Sequence, residues 1–408
     1  LHIEILVLTL QGQNKQKKNK MSKIKFITGD VLPKVAQVAQ VVNQKNTISV
    51  LENLMLETFN GQFLNITASD GETWLLVSTG VEIIEGDVKC CINAQRLNTA
   101  LRSLGNDMEV VVEFNEQSHI AKFNYTSGNF ELPFLDADEF PNPSNASENN
   151  VNVELLNNFL VNGLGLTEFA IDTDSLHPQF NGIHVDFIKN EENGKSSMVF
   201  VATDTRKLIK YTQDFEDGID VDELNGKGFT LPKKAAITIL QLLANADGNA
   251  SCMITFNEQN FSLKNENSVL STRLINGRFP NYNAVIPTDN NKMAIIGKDA
   301  IIGALKRVMA FANQKTLMAT LTFEDNKIKL ETRDIDFNTA AQEIVECNYT
   351  DEPITIGFPC NGLIDVVKNV QCDKVAIKMS NPTKAGLIIP LQQTDGSEYL
   401  SIQMPMQI

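Results

Sequence analysis

Catalysis needs nucleophiles, acids or metal ligands at workable spacing, and this 408-residue chain offers few. It has four histidines, His2, His119, His177 and His184. His177 and His184 flank Phe180-Asn181-Gly182, where a metal would need carboxylates or thiols that the local sequence lacks. His119 falls in a strand-like run and reads as a surface or packing residue. Asp334 and Asp336 stand two apart, on one face of a strand if the strand continues, and read as a solvated edge. The six cysteines (Cys90, Cys91, Cys252, Cys347, Cys360, Cys372) form no C-x-x-C pair and read as reduced thiols of a cytoplasmic protein. No G-x-G-x-x-G, P-loop, H-E-x-x-H or G-x-S-x-G is present. The expectation is a protein without catalytic residues, cofactor or metal.

What the chain does carry is cations in particular places. Val31, Leu32, Val35, Val38, Ala39 and Val42 recur at helical spacing and leave Lys34 on the opposite face. Ala94, Leu97, Ala100, Leu101 and Leu104 form a second apolar face, with Arg96 and Arg102 pointing away. Further helices are expected near 153–168, 232–244, 298–313 and 359–370. Segments 31–45, 93–104 and 232–244 each carry +2, 298–315 carries +3, 359–370 is neutral and 153–168 carries −2. Together they hold +7, so the rest of a chain of net charge −15 holds −22. Positive helices on an acidic protein could face phosphates while the remainder repels nonspecific contacts. Lysines also decorate ordinary solvated helix faces, so charge alone leaves both readings open.

The elements that position these cations are written three times. Phe140-Pro141-Asn142 and Phe279-Pro280-Asn281 lie 139 residues apart, as do helix-like segments opening near Asn93 and Pro232. Asp70, Asp204 and Asp334 precede helices near residues 93, 232 and 359 by 23, 28 and 25 positions. Asn43-Gln44-Lys45 and Asn313-Gln314-Lys315 each close a helix-like run. Each repeat reads helix, strands, helix, strands; in the first, strands are expected at 51–59, 63–69, 73–79, 108–114, 119–125 and 129–134. That order predicts an α+β fold of three repeated domains, each with two helices packed on antiparallel sheets. An apolar content of 42% suffices for each to bury a core.

Boundaries follow from composition. Leu1–Leu10 is too short to span a bilayer, and basic residues follow it rather than precede it, so 1–20 reads as a leader without a structural role. Met21-Ser22-Lys23 reads like a natural start. Polar, proline-containing linkers at 143–150 and 287–292 delimit domains at 21–145, 151–287 and 293–408.

From Met21 to Ile408 the chain resembles the β subunit family of bacterial DNA polymerase III, the sliding clamps. The resemblance runs through Val201-Ala-Thr-Asp-Thr-Arg-Lys-Leu208, Leu231-Pro-Lys-Lys-Ala235, Leu274-Ile-Asn-Gly-Arg-Phe-Pro-Asn-Tyr282, Ile356-Gly-Phe358 and the terminal Met404-Pro405-Met406-Gln407-Ile408. It implies a head-to-tail homodimer whose six clamp-type domains close a ring around double-stranded DNA, helices inside and sheets outside. Such a protein performs no chemistry and tethers the polymerase topologically. The implied partners are duplex DNA, a second copy, the polymerase III α subunit, the clamp loader and other proteins with clamp-binding motifs. The implied location is the bacterial cytoplasm, with no membrane association.

Carried onto this sequence, the inner-surface candidates are Lys34, Lys45, Arg96, Arg102, Lys233, Lys234, Lys306, Arg307 and Lys315. The family's hydrophobic partner groove implies roles for Phe180, Thr203, Thr205, Arg206, Lys207, Leu208, Pro280, Val285, Ile402, Met404, Pro405 and Met406. The ring contact implies Arg96, Ala100, Phe130 and Leu132 opposite Ala310 and Phe311 of another copy. Departures are visible: Thr205 and Lys207 stand in Thr-Asp-Thr-Arg-Lys-Leu where many members have Thr-Asp-Gly-His-Arg-Leu. Gln407 replaces a common arginine, Phe180 a frequent leucine, and Pro178-Gln179 a frequent tyrosine pair. These predict a groove with altered peptide preference. The alternative is a monomeric, repeat-built interaction scaffold that never encircles DNA. An enzyme assembled from scattered residues would instead show a pocket with perturbed carboxylates or a metal.

Overall fold

In the computed structural model, which describes residues 21–43, 48–143, 150–174, 176–189, 194–215, 224–244 and 246–408, a strand opens each repeat ahead of the expected helix. The first repeat runs β1 (Met21–Ile27), α1 (Thr28–Ala39), β2 (Asn53–Phe59), β3 (Phe63–Ser69), β4 (Thr73–Gly80), β5 (Glu82–Glu85), β6 (Lys89–Asn93), α2 (Ala94–Leu104), β7 (Glu109–Asn115), β8 (Ile120–Tyr125) and β9 (Gly128–Asp136). The second runs β10 (Val151–Leu156), α3 (Asn157–Thr167), β11 (Gly182–Lys189), β12 (Ser196–Thr203), β13 (Lys207–Asp214), β14 (Gly228–Pro232), α4 (Lys233–Leu243), β15 (Ser251–Phe256), β16 (Asn260–Lys264) and β17 (Ser268–Arg273). The third runs β18 (Lys292–Gly297), α5 (Lys298–Met309), β19 (Met318–Glu324), β20 (Lys327–Asp334), β21 (Thr339–Glu346), β22 (Ile354–Pro359), α6 (Cys360–Asn369), β23 (Lys374–Met379), β24 (Gly386–Pro390) and β25 (Ser397–Gln403). With β5 set aside, all three share the order strand, helix, four strands, helix, three strands.

Helical spacing read from residue 153 covers what is a strand. Val153 and Leu155 are buried and their neighbours are not, the alternation of a strand, and β10 pairs antiparallel with β15. The helix starts only at Asn157, whose amide side chain donates to the Asp247 carbonyl at 2.8 Å. Helix α1 starts at Thr28 and ends at Ala39, short of Val42, the last residue at helical spacing, and α5 ends at Met309 rather than 313. Asn93 caps α2 as expected, accepting from the Arg96 N–H at 3.0 Å.

The described residues fall into two compact units, one formed by the chain up to Asn157 with Gln241–Arg273, the other by Asn158–Leu240 with Leu274–Ile408. In the first, a 13-stranded sheet runs β10-β15-β16-β17-β4-β3-β2-β6-β9-β8-β7-β1-β5. Helices α1 and α2 pack on each other, and α1 lies against β3 and β4. Ile24, Val31, Val35, Leu56, Leu64, Leu97, Leu101 and Val112 meet in the core beneath them. Burying each such side chain contributes about 1.5–3 kcal/mol, which seats the helices on that face and turns their polar sides outward. In the second unit an eight-stranded sheet runs β14-β11-β12-β13-β25-β24-β23-β18, beside a four-stranded sheet β21-β20-β19-β22. Helices α5 and α6 pack together, α5 over β19–β21 and α6 over β22 and β25.

One strand of each of the first two repeats makes the junction to the next. In the first unit β4 takes β17, the last strand of the second repeat, from Ser268 opposite Val77 to Thr272 opposite Thr73. In the second unit β13 takes β25, the last strand of the third repeat, from Lys207 opposite Gln403 to Gln213 opposite Ser397. The third repeat's equivalent strand, β21, ends its sheet with one edge unpaired among the described residues. The first repeat's last strand, β9, pairs with β8 along Gly128–Pro133 and with β6 only at Phe134–Asp136.

The three marker aspartates share one structural role. Asp70 and Asp204 follow strand three of their repeats and Asp334 ends that of its own; in each, Oδ1 accepts two backbone N–H bonds that close the next turn. Asp70 binds Glu72 and Thr73 at 3.0 and 2.8 Å, Asp204 binds Arg206 and Lys207 at 3.0 and 2.8 Å, and Asp334 binds Asp336 and Phe337 at 2.9 and 3.3 Å. Asp334 is therefore a buried turn residue, not the solvated edge expected from spacing. His119 likewise sits in the turn before β8 with φ 52°, its ring 5.4 Å from that of Phe134.

Candidate functional sites

The groove candidates gather in the second unit. Val199, Val201, Leu208, Phe279, Ala385, Leu387 and Ile402 form one buried cluster, and Phe180 and Tyr282 pack against it half-buried. Strand pairing sets Leu208 opposite Ile402, which brings residues 194 positions apart onto one floor. Phe180 meets Phe279 edge-on at 5.7 Å, and Phe279 stacks on the His184 imidazole at 4.5 Å. Below the rings, His184 Nε2 and the Tyr282 hydroxyl contact the two oxygens of Asp186 at 3.0 and 2.9 Å. Burial pushes the Asp186 carboxyl up, but the bonds from His184 and Tyr282 outweigh it and hold the carboxyl below its ordinary value. Burial, joined by the Asp186 charge, pushes the Tyr282 phenol up.

At one end of this floor stands the Thr203–Leu208 turn. Thr203 Oγ1 donates to the Lys207 carbonyl at 2.7 Å and accepts from the Thr205 N–H at 3.1 Å. Thr205 has φ 70°, a conformation that costs a branched residue about 1–2 kcal/mol and that glycine adopts freely. Lys207 is not a free cation, because its ammonium binds Asp204 Oδ2 at 2.7 Å. The exposed Arg206 fixes the C-terminal segment through its carbonyl, which accepts from the Met404 N–H at 2.8 Å. Met404 and Val285 are 42% and 54% exposed, and Pro280 is exposed beside the buried Phe279. Pro405 and Met406 are half-buried, and the Met406 N–H donates to the Gly357 carbonyl at 2.8 Å. A Cβ on Gly357 would stand 2.8 Å from the Met406 carbonyl oxygen, so the tail occupies the space a side chain would need.

Sequence reasoning named Phe180, Leu208 and Ile402 of that floor but not His184, Asp186, Ala385 or Leu387. Phe279 and Tyr282 stand beside the expected Pro280 inside Gly-Arg-Phe-Pro-Asn-Tyr, and nothing local in the sequence marks His184 as part of the floor. Among the described residues no group of three or more His, Cys, Asp or Glu could hold a metal.

The cations divide by environment. Arg96 and Arg102 are exposed on α2, and Arg102 also bonds to Asn98 at 3.2 Å. Lys34 on α1 and Lys233 and Lys234 on α4 are half-buried; Lys306 and Lys315 are exposed. Arg307 pairs with Glu343 of β21, a bidentate contact that partly neutralises it. Lys45 lies outside the described residues. Of the ring-contact candidates, Phe130 and Leu132 lie half-buried on β9, with Phe130 stacked on Phe123 at 4.6 Å. Ala100 is half-buried on α2, Ala310 is exposed, and Phe311 is 46% exposed, its carbonyl held by the Thr339 hydroxyl of β21. The cysteines are free; burial pushes Cys91 up to about 12 and Cys252 to about 11, out of the reactive range.

Three copies of one α+β element order, joined by shared sheets, define the sliding-clamp class of fold. Comparison with known proteins agrees along nearly all of the described chain. The N-terminal, central and C-terminal domain models of the DNA polymerase III beta subunit match residues 23–144, 154–281 and 283–407 in succession. The beta sliding clamp of Haemophilus influenzae is 26% identical over 93% of this chain and 98% of its own, and that of Caulobacter vibrioides 25% identical over the same shares. The solved DnaN sliding clamp of Bartonella birtlesii superposes with a TM-score of 0.87 at 24% identity, covering 95% of this chain and 100% of that one. The chain belongs to the DNA polymerase III beta subunit family and is a non-catalytic sliding clamp serving polymerase processivity.

Proposed function

We propose that two copies of this chain close head to tail around duplex DNA, over domains spanning 21–145, 151–287 and 293–408. The observation that carries this reading is the repeated strand junction. Strand four of the first two repeats takes the last strand of the next repeat, and only β21 and β9 lack such a partner among the described residues. Pairing β21 of one copy with β9 of another repeats the same junction and closes by two-fold symmetry. Phe130 and Leu132 on β9 and Phe311 beside β21 would then be covered. Arg96, Ala100 and Ala310 complete the proposed contact.

Lys34, Lys45, Arg96, Arg102, Lys233, Lys234, Lys306, Arg307 and Lys315 would face the DNA and attract phosphates without reading bases, which permits sliding. The floor around Leu208, Phe279 and Ile402, with Phe180, Met404, Pro405 and Met406, takes short apolar motifs of the polymerase α subunit, the clamp loader and other replication partners in the bacterial cytoplasm. Thr203, Thr205, Arg206, Lys207, Pro280 and Val285 supply its rim.

The test is retention of the loaded protein on nicked circular DNA before and after that DNA is linearised, at moderate salt. Retention on the circle and loss from free ends is expected. Equal retention on both, or none despite competent loading, would replace encirclement by adhesive binding or by the scaffold reading.

A further inference from the structure

The first unit holds a cavity of about 560 Å³ on the sheet face opposite α1, outside every site described above. Alternation along the strands decides its lining. Leu75 and Val77 of β4 face the core, whereas Trp74 and Leu76 face the cavity with Met55 of β2 and Thr67 of β3. Pro141 roofs one side, its carbonyl accepting from the Trp74 indole at 3.0 Å. Thr67 is nine-tenths buried, and its hydroxyl has no partner in the protein. Charge narrows the occupant. The Glu57 carboxylate on the rim is offset by Lys89 at 3.2 Å, which leaves the lining Lys264 to favour a carboxylate over an amine.

The same parts recur in the second-unit groove. Trp74 follows the Asp70 turn and pairs across the junction with Ser271, as Leu208 follows the Asp204 turn and pairs with Ile402. Phe140-Pro141 stands here as Phe279-Pro280 stands there. We propose that this cavity is a second peptide site, taking an extended partner segment with an apolar anchor on Met55, Trp74 and Leu76 and a carboxylate toward Lys264. The peptide class of the occupant rests on the groove reading above; the site itself rests on the cavity, on Lys264 in its lining and on the repeated turn-and-junction parts.

Trp74 is the single tryptophan of the chain, so its emission reports occupancy of this cavity alone. The probe is an acetylated leucine- and phenylalanine-containing pentapeptide, with either a free or an amidated C-terminus, titrated into the full-length protein. A saturable Trp74 response is expected that survives deletion of residues 404–408, disappears in Ser271→Phe, and weakens at least about tenfold in Lys264→Glu for the free-acid peptide only. Calorimetry on the same samples counts groove binding separately. Groove binding without a Trp74 response overturns the second site and leaves the groove standing. A Trp74 response without groove binding does the reverse. A response that Ser271→Phe leaves intact, or no binding at all, also overturns the proposal; unchanged melting of each variant excludes misfolding as the cause.

Discussion

At the scale of single residues, several side chains are constrained more by what lies across the fold than by their neighbours in sequence. Gly357 is one: its missing Cβ admits the Met406 backbone. Gly357→Ala should dislodge the C-terminal tail, weaken apolar peptide binding about tenfold, and cost about 1–3 kcal/mol of stability, as read by peptide titration and urea melts. Asp186 is another. Its carboxyl is held below the ordinary 3.8. A carboxyl lowered in the folded state stabilises at pH above its unfolded value, and that contribution is lost as pH falls through the folded value. Wild type should therefore lose its advantage over Asp186→Asn between neutral pH and pH values below 3.8, in paired urea melts. An advantage unchanged at low pH would show that the bonds from His184 and Tyr282 do not depend on the charge.

At the scale of elements, the cations on α5 are not equivalent. Lys306 is exposed, while Arg307 is held by Glu343 of β21. Lys306→Ala should reduce the slope of log affinity against log salt for duplex DNA by about 0.9 for each phosphate left without its cation. Arg307→Ala should change it less, and Glu343→Gln should strengthen DNA binding by releasing Arg307. Salt titrations of all three variants check the order; an Arg307→Ala effect equal to that of Lys306→Ala would contradict it. The marker aspartates make a related point about elements. Asp70, Asp204 and Asp334 recur through the repeats because each closes the turn into strand four, which in the first two repeats forms the junction.

At the scale of the whole molecule, the proposed ring contact joins β21 of one copy to β9 of another, and apolar side chains lie on or beside both strands. Phe311→Asp or Phe130→Asp should convert a dimer to a monomer in analytical ultracentrifugation. Phe311, 46% exposed, can be changed with little loss of fold, whereas Phe130 is stacked on Phe123, so its replacement should also lower the melting temperature. A Phe311→Asp protein that stays dimeric would place the ring contact elsewhere.

Local patterns were enough to show the three-fold repeat, most helices, six strands of the first repeat to within a few residues (not β1, β5 or β6) and the acidic-versus-basic partition. Those signals are local: apolar spacing, turn residues and charge are written within one element. Even so, the strand Val151–Leu156 passed for a helix start, because six residues of mixed spacing satisfy either period until a partner strand is known. The groove residues were legible through family resemblance, whereas the His184–Asp186–Tyr282 cluster beneath them was not, since Tyr282 lies 96 positions from Asp186 and joins the His184–Asp186 pair of β11 only in the fold. The same holds for Arg307 paired with Glu343, the buried Asp334 and the cavity beside Trp74. Sequence by itself determined which elements form and how often they recur. Tertiary structure decided which charges stay free and which surfaces meet, because pairing across sheets joins residues whose separation along the chain carries no signal of their meeting.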